Sequence, residues 1–74
     1  MRTDWDGYYL DGRAPVRRRA RVRLTRTGIE IVPEGGPPAF WPYPEVRQTQ
    51  GWHAGEEARL ERGRDLPESI VVAD

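Results

Sequence analysis

Residues 16–24 read Val16-Arg17-Arg18-Arg19-Ala20-Arg21-Val22-Arg23-Leu24. Small or apolar side chains alternate with arginines here, which is the two-residue period of a β-strand and not the period of a helix. The alternation predicts a strand within residues 13–25 whose buried face carries positions 16, 20, 22 and 24. The opposite face meets solvent and carries four guanidinium groups, those of Arg17, Arg19, Arg21 and Arg23.

The residues after this strand predict a tight reversal of the chain. Residues 25–28, Thr-Arg-Thr-Gly, are typical of a turn. A turn of two or four residues places Val22 opposite Ile31 and Arg23 opposite Glu30. A turn of three residues would instead put Glu30 on the buried face. The pattern therefore indicates an antiparallel hairpin with one defined register.

Other extended segments follow the same logic, separated by glycine, proline and aspartate. Residues 33–38 hold three prolines and two glycines, so they cannot continue a ladder. Pro42 and Pro44 restrict the segment between them to a sheet edge or a bend. Residues 45–50 can form a strand or one helical turn after Pro44, and the strand is favoured. The sequence therefore predicts an all-β fold, a small antiparallel barrel or curled sheet of about six short strands with little or no helix. In addition to the two strands of the hairpin, the predicted extended segments are 4–11, 39–43, 45–50, 57–62 and 69–72.

Length and composition set the size of the core. The chain has 74 residues, which make one domain, and a chain this short buries only roughly 60% of the surface that its unfolded form exposes. It contains no cysteine, so neither a disulfide nor a thiolate metal site supplements the core. Aromatic side chains must then supply much of the buried area, and the predicted core aromatics are Trp5, Tyr9, Trp41, Tyr43 and Trp52. A ligand-binding cluster of the last three is the alternative interpretation.

Charge is balanced over the whole chain and uneven along it. Twelve basic and twelve acidic side chains cancel, and every basic one is an arginine. Residues 13–26 hold seven arginines and no acid, whereas residues 52–74 hold six acids and three arginines. The arginine row has two interpretations: an ordinary solvated face paired with Glu30 and the acids of residues 57–61, or a binding surface for carboxylate, phosphate or anionic lipid. A surface that binds single-stranded nucleic acid would carry exposed aromatic side chains among its cations, and residues 16–24 contain none.

No constellation of an enzyme is visible. His53, with Glu56 and Glu57, reads H-x-x-E-E, but zinc-protease patterns need a second histidine and this chain has one. The two glutamates are sequence neighbours, so on a strand they point to opposite faces. The only serine, Ser69, has no predicted histidine beside it. The longest apolar run, residues 70–73, is too short to cross a bilayer. We therefore predict a soluble domain with no catalytic residue, metal, cofactor or small-molecule ligand.

Short aromatic motifs carry a resemblance to a known family. They are Trp5-Asp6-Gly7-Tyr8-Tyr9-Leu10-Asp11-Gly12-Arg13, then Pro15-Val16, Trp41-Pro42-Tyr43 and Val46-Arg47. The pattern resembles the small N-terminal β domain, of uncharacterised function, that precedes the membrane-embedded zinc metallopeptidase domain in bacterial proteins similar to HtpX and CAAX prenyl proteases. Residues 66–74 look like the stretch that leads from that domain towards the first membrane segment.

The resemblance implies that residues 1–74 are one domain excised from a longer protein, cytoplasmic and next to the inner membrane. The family's zinc ligands and catalytic glutamate belong to an H-E-x-x-H helix that is absent from this sequence, so no catalytic residue carries over. The expected function is a noncatalytic accessory domain that uses its arginine-rich strand. Expected partners are the rest of its own protease chain, an anionic membrane surface or a protein substrate. The alternative function is a stand-alone nucleic-acid-binding small barrel.

Overall fold

The computed structural model describes residues 3–51 and 55–72. It is all-β, with a single three-residue 3-10 turn at Tyr43–Glu45. The predicted fold class is confirmed: the strands form one curled, antiparallel half-barrel sheet. There are seven strands in this part of the chain, slightly more than the number expected, namely β1 (Asp4–Leu10), β2 (Arg18–Leu24), β3 (Gly28–Pro33), β4 (Ala39–Pro42), β5 (Arg47–Gln50), β6 (Ala58–Arg62) and β7 (Glu68–Val72).

The sheet order is β4-β3-β2-β1-β7-β6-β5. Two meanders, β1 to β4 and β5 to β7, are joined where β7 pairs with β1, for example Leu10 with Ser69. The two edges are β4 and β5, which follow each other in sequence. An edge position for β4 agrees with its prolines, since proline cannot donate to a neighbouring strand.

The predicted hairpin of β2 and β3 is confirmed in its register. Val22 lies opposite Ile31 and Arg23 lies opposite Glu30. Thr25 closes the turn twice: its backbone N–H donates to the carbonyl oxygen of Gly28 over 2.9 Å, and its Oγ1 accepts the Gly28 N–H over 3.2 Å. The hydrophobic pattern and this compact turn together determine which side chains face each other.

The core lies on the concave face of the sheet. Trp41 is the largest fully buried side chain of this core. Trp5 and Tyr9 are partly buried and pack against the core cluster. These three predicted core aromatics therefore contact or form the core. Trp52, with His53, lies outside the described residues. The buried cluster consists of Ala20, Val22, Ile29, Ile31, Trp41, Ile70 and Val72.

The prediction for Tyr43 is wrong. Its side chain is 40% exposed, because the chain leaves the strand at Pro42 and enters the 3-10 turn, which ends the alternation with Trp41. The Tyr43 hydroxyl donates to the carbonyl oxygen of Thr25 over 2.6 Å. Tyr43 thus fastens the β4 end to the β2–β3 turn instead of filling the core.

The second strand is shorter than its sequence pattern. Val16 and Arg17 precede β2, and Val16 is 58% exposed, so its predicted burial is wrong. The predicted burial of Leu24, the last residue of β2, is also wrong, because this residue is 36% exposed. The pairing of β2 with β1 stops at Tyr9 and Arg18. Residues 11–17 form a loop. The carboxylate of Asp11 accepts hydrogen bonds from the backbone N–H groups of Arg13 and Ala14. Because no neighbouring strand covers position 16, its apolar side chain stays at the surface.

Candidate functional site

The convex face of β2 carries the predicted arginine row, with one change. Arg19, Arg21 and Arg23 lie on the exposed face, whereas Ala20 and Val22 between them are buried. Arg17 belongs to the preceding loop. We call the surface formed by these four arginines and their neighbours on β1 and β3 the arginine face.

Arg21 is engaged by two carboxylates of β1. Its Nη2 lies 2.9 Å from Asp4 Oδ2, and its Nη1 lies 3.0 Å from Asp6 Oδ1. The hydrogen bonds that Arg21 donates to Asp6, and then to Asp4, raise the pKa of Arg21. Both carboxylates are available because residues two apart on a strand share a face, and Asp6 lies directly opposite Arg21. The charge of this arginine is therefore compensated within the domain.

Arg23 is also compensated, as the sequence predicted. Its Nη2 lies 3.1 Å from Oε2 of Glu30 on β3. The second predicted source of pairing, the acids of residues 57–61, is wrong for the arginine face, because β1 and β7 separate β6 from β2. Glu61 pairs instead with Arg59, at 3.2 Å, and with Arg47, at 3.9 Å.

Arg17 and Arg19 are different from the other two. The Arg17 guanidinium lies over the ring of Tyr8, with Cζ 5.3 Å from the ring centroid, a cation–π contact. Tyr8 is also the residue opposite Arg19 in the β1–β2 pair. Within residues 3–51 and 55–72, the Arg19 side chain has no ion pair and no hydrogen bond. Both arginines are thus neighbours of Tyr8, one over its ring and one opposite it in the sheet, and both retain donors for an external group.

Two of these side chains, Tyr8 and Arg19, border an open groove of about 580 Å³ on the convex face. Tyr8, Arg19 and Arg21 line it from β1 and β2, and Val32 and Glu34 line it from the β3 side. Val32 is 44% exposed, as is Phe40 on the neighbouring edge strand. The groove therefore combines guanidinium donors with apolar and aromatic surface.

The arginine face has no net charge. Its four arginines are matched by four carboxylates on or beside the same surface, those of Asp4, Asp6, Glu30 and Glu34. Attraction to a uniformly charged polyanion depends on uncompensated cations. This surface offers only local donors at Arg17 and Arg19.

Sequence reasoning missed the contribution of β1. Asp4, Asp6 and Tyr8 are spaced by two, so they share the face of the strand that meets the arginine row. That spacing was a usable signal. What it lacked was the register of β1 against β2, which determines the carboxylate nearest to each arginine.

His53, for which the sequence predicts no catalytic or metal-binding role, lies outside the described residues. Of its two neighbouring glutamates, Glu57 is exposed and precedes β6. Ser69 is buried on β7, and its Oγ accepts a hydrogen bond from Arg59 Nη2 over 3.2 Å. In the part of the chain that the structure describes, no three histidine, cysteine or acidic side chains gather where they could hold a metal ion.

The phenol of Tyr9 allows a prediction about alkaline pH. Its hydroxyl donates to Glu68 Oε2 over 2.7 Å, and burial, followed by this bond, raises the pKa of Tyr9 to about 12 from 10.0. A raised pKa in the folded state contributes stability below pH 10.0 that is lost as the pH rises towards 12. We expect ultraviolet titration of the tyrosines to show one late transition, and unfolding midpoints to fall across that interval.

Tyr9→Phe is the control for this prediction. The late transition should disappear, and stability should lose its part of the alkaline dependence. Glu68→Gln should lower the pKa of Tyr9 only partly, because burial is the larger cause. If Tyr9→Phe removed no titration step above pH 10.0, both the burial of the Tyr9 phenol and its contact with Glu68 would be contradicted.

Comparison with known proteins adds no relative: no family model, no curated protein and no solved structure matches this chain. The resemblance to a metallopeptidase N-terminal domain stays a prediction. Among the described residues, no helix has the length and apolar character to cross a bilayer.

Proposed function

We propose that this domain is a noncatalytic protein-interaction module that binds its partner through the arginine face. The observation that carries the proposal is the pair Arg17 and Arg19, which lie next to Tyr8 and the groove and form no ion pair among the described residues. Arginine and tyrosine are enriched at the centres of protein interfaces, because both combine a large contact area with directional donors. The partner we infer is a protein segment with a carboxylate for the two arginines and an apolar side chain for the groove.

Charge and shape favour a protein over a membrane surface or a nucleic acid. Anionic lipid attracts each uncompensated basic residue by only about 1 kcal/mol, and here Arg21 and Arg23 are already neutralised. Base stacking needs an accessible aromatic face, and the Arg17 guanidinium covers one side of Tyr8. Exposed Val32 and Phe40 suit a protein surface better than a phosphate backbone.

The resemblance extends this proposal to a biological setting. On that basis alone, the domain is an accessory part of a membrane zinc metallopeptidase, located at the cytoplasmic side of the inner membrane. The partner would then be the protease chain or its protein substrate. A nucleic-acid-binding role for a stand-alone barrel is the competing outcome in the experiment below.

The test is a selection from a random peptide library displayed on phage, followed by affinity measurement on synthetic peptides. We expect selected peptides to combine an acidic and an apolar residue. The double variant Arg17→Gln and Arg19→Gln should weaken their binding by about tenfold or more, since hydrogen bonds to charged groups contribute about 1.5–3 kcal/mol each. Arg26→Gln, which removes an exposed arginine from the β2–β3 turn, is the matched control and should leave affinity unchanged.

Three results would contradict the proposal. One is unchanged peptide affinity in the double variant. The others are binding to phosphatidylglycerol vesicles, or to oligothymidylate with a steep salt dependence, that is stronger than peptide binding and is lost in the same variant. Those results would assign the arginine face to lipid or to nucleic acid.

A further inference from the structure

A second recess lies at the end of the half-barrel, on the other side of β2 from the arginine face. It is enclosed by the loop of residues 11–17 and by the loop that joins β3 to β4. Its volume is about 370 Å³, within the range of about 300–1,000 Å³ that is usual for small-ligand sites. The walls are mainly apolar and rigid, since proline rings fix the backbone; they include Tyr9, Val16, Pro33, Pro37, Pro38 and Ala39.

Two of the three polar groups at this recess are already satisfied. The Tyr9 hydroxyl donates to Glu68. Asp11 Oδ1 accepts the N–H groups of Arg13, over 2.9 Å, and Ala14, over 3.2 Å, and these bonds lower the pKa of Asp11. Asp11 therefore stays charged and holds its loop in shape.

Arg18 is the third polar group, and its guanidinium N–H groups are available to a ligand. Its side chain has no hydrogen bond and no ion pair within the described ranges. Nη1 sits close to the second loop: a Cβ built on Gly36 would lie only 3.2 Å from it. The absence of a side chain at position 36 thus leaves room for the guanidinium at the mouth of an apolar recess.

We propose that this recess binds a small organic carboxylate with an apolar body. The carboxylate pairs with the guanidinium of Arg18, whose planar donor array matches its two oxygens. The apolar body contacts the proline rings and the ring of Tyr9. Because the Asp11 carboxylate borders the same recess, a monoanion is favoured over a phosphate dianion. The site shares the carboxylate chemistry of the arginine face but not its residues, and it holds a small molecule instead of a protein segment.

A matched series of ligands tests the proposal on the unmodified protein. Phenylacetate, 2-phenylethanol and 2-phenylethylamine share a phenyl group and differ in charge. In NMR titrations of nitrogen-15-labelled protein, we expect phenylacetate to give saturable shifts at the amides of Arg18, Gly36 and Ala39. The alcohol and the amine should bind at least about tenfold more weakly, which corresponds to about 1.4 kcal/mol. Equal or tighter binding of either one, or shifts confined to other parts of the sheet, would overturn the proposal.

Variants then separate this site from the arginine face. Arg18→Gln should weaken phenylacetate binding by about tenfold, whereas Arg17→Gln, the neighbouring exposed arginine, should not change it. Gly36→Ala keeps every charge, and its Cβ, 3.2 Å from Nη1, makes the guanidinium shift by a few tenths of an ångström. It should therefore weaken phenylacetate slightly more than 2-phenylethanol. Wild-type affinity in Arg18→Gln would refute the site. Should that variant not fold, the Gly36→Ala comparison and the ligand series decide the question.

Discussion

Trp41→Ala is expected to lower the free energy of unfolding by about 3–5 kcal/mol, the usual loss for truncating a fully buried aromatic residue. The Trp41 side chain is 0% exposed and lies opposite Ile29 on the concave face. A domain of this size has a total stability of only a few kcal/mol up to about 11 kcal/mol. The variant should therefore be largely unfolded at modest urea concentrations, measured by far-ultraviolet circular dichroism.

Two variants of the same strand control this result. Phe40→Ala removes an aromatic ring that is 44% exposed on the convex face, so its loss should stay under about 1 kcal/mol. Trp41→Phe should cost less than Trp41→Ala. One reason is that the buried indole Nε1 has no hydrogen-bond acceptor among the described residues, so removing it ends that desolvation penalty. Equal losses for Trp41→Ala and Phe40→Ala would mean that β4 does not turn this side chain inward.

The β2–β3 hairpin shows what the sequence could predict. The alternation of apolar residues predicts that Ala20 and Val22 face the core. The short turn allows few registers between β2 and β3, and only some of these keep Glu30 out of the core. Both constraints act between residues close in sequence. For that reason the strand, the burial of Ala20 and Val22 and the Arg23–Glu30 pair were predicted from the residues. Leu24, predicted on the same buried face, is instead 36% exposed at the end of the strand.

The β1–β2 pair shows what the sequence could not predict. Residues 11–17 form a long connection, and unlike a two-residue turn it fixes no register. Any of several registers would have buried the aromatic side of β1. The double engagement of Arg21 by Asp4 and Asp6, which leaves Arg19 with free donors, depends on the one register that forms.

Strand ends were predicted less well than strand faces, for a related reason. The alternating pattern of β2 extends back to Val16, and that of β4 extends forward to Tyr43. In both strands, pairing with the neighbouring strand stops before that residue. Whether an apolar side chain is covered at such a position depends on the neighbour and not on its own sequence. The recess beside Arg18 exists because two connections, residues 11–17 and 34–38, come together there.

Gly12→Ala is the second large effect that we expect, a loss of about 2–4 kcal/mol in the free energy of unfolding. Gly12 has a φ of +82°, a left-handed conformation that costs an L-residue about 1–2 kcal/mol. A Cβ at this position would also lie 2.6 Å from the carbonyl oxygens of Leu66 and Pro67, so the backbone would have to move. That segment leads into β7, and the collision should weaken the β1–β7 pairing that joins the two meanders. Urea unfolding monitored by tryptophan fluorescence measures the loss.

Gly35→Ala is the matched control, because it shares the strain without the collision. Gly35 has a φ of +72°, and a Cβ there would have open space for 4 Å around it apart from its own chain neighbours, so only about 1–2 kcal/mol should be lost. The difference between the two variants then measures the close approach of Gly12 to residues 66–67. If both variants lost the same amount, that approach would not exist in solution. The pairing of Leu10 with Ser69 next to it, and with it the single continuous sheet, would then be in doubt.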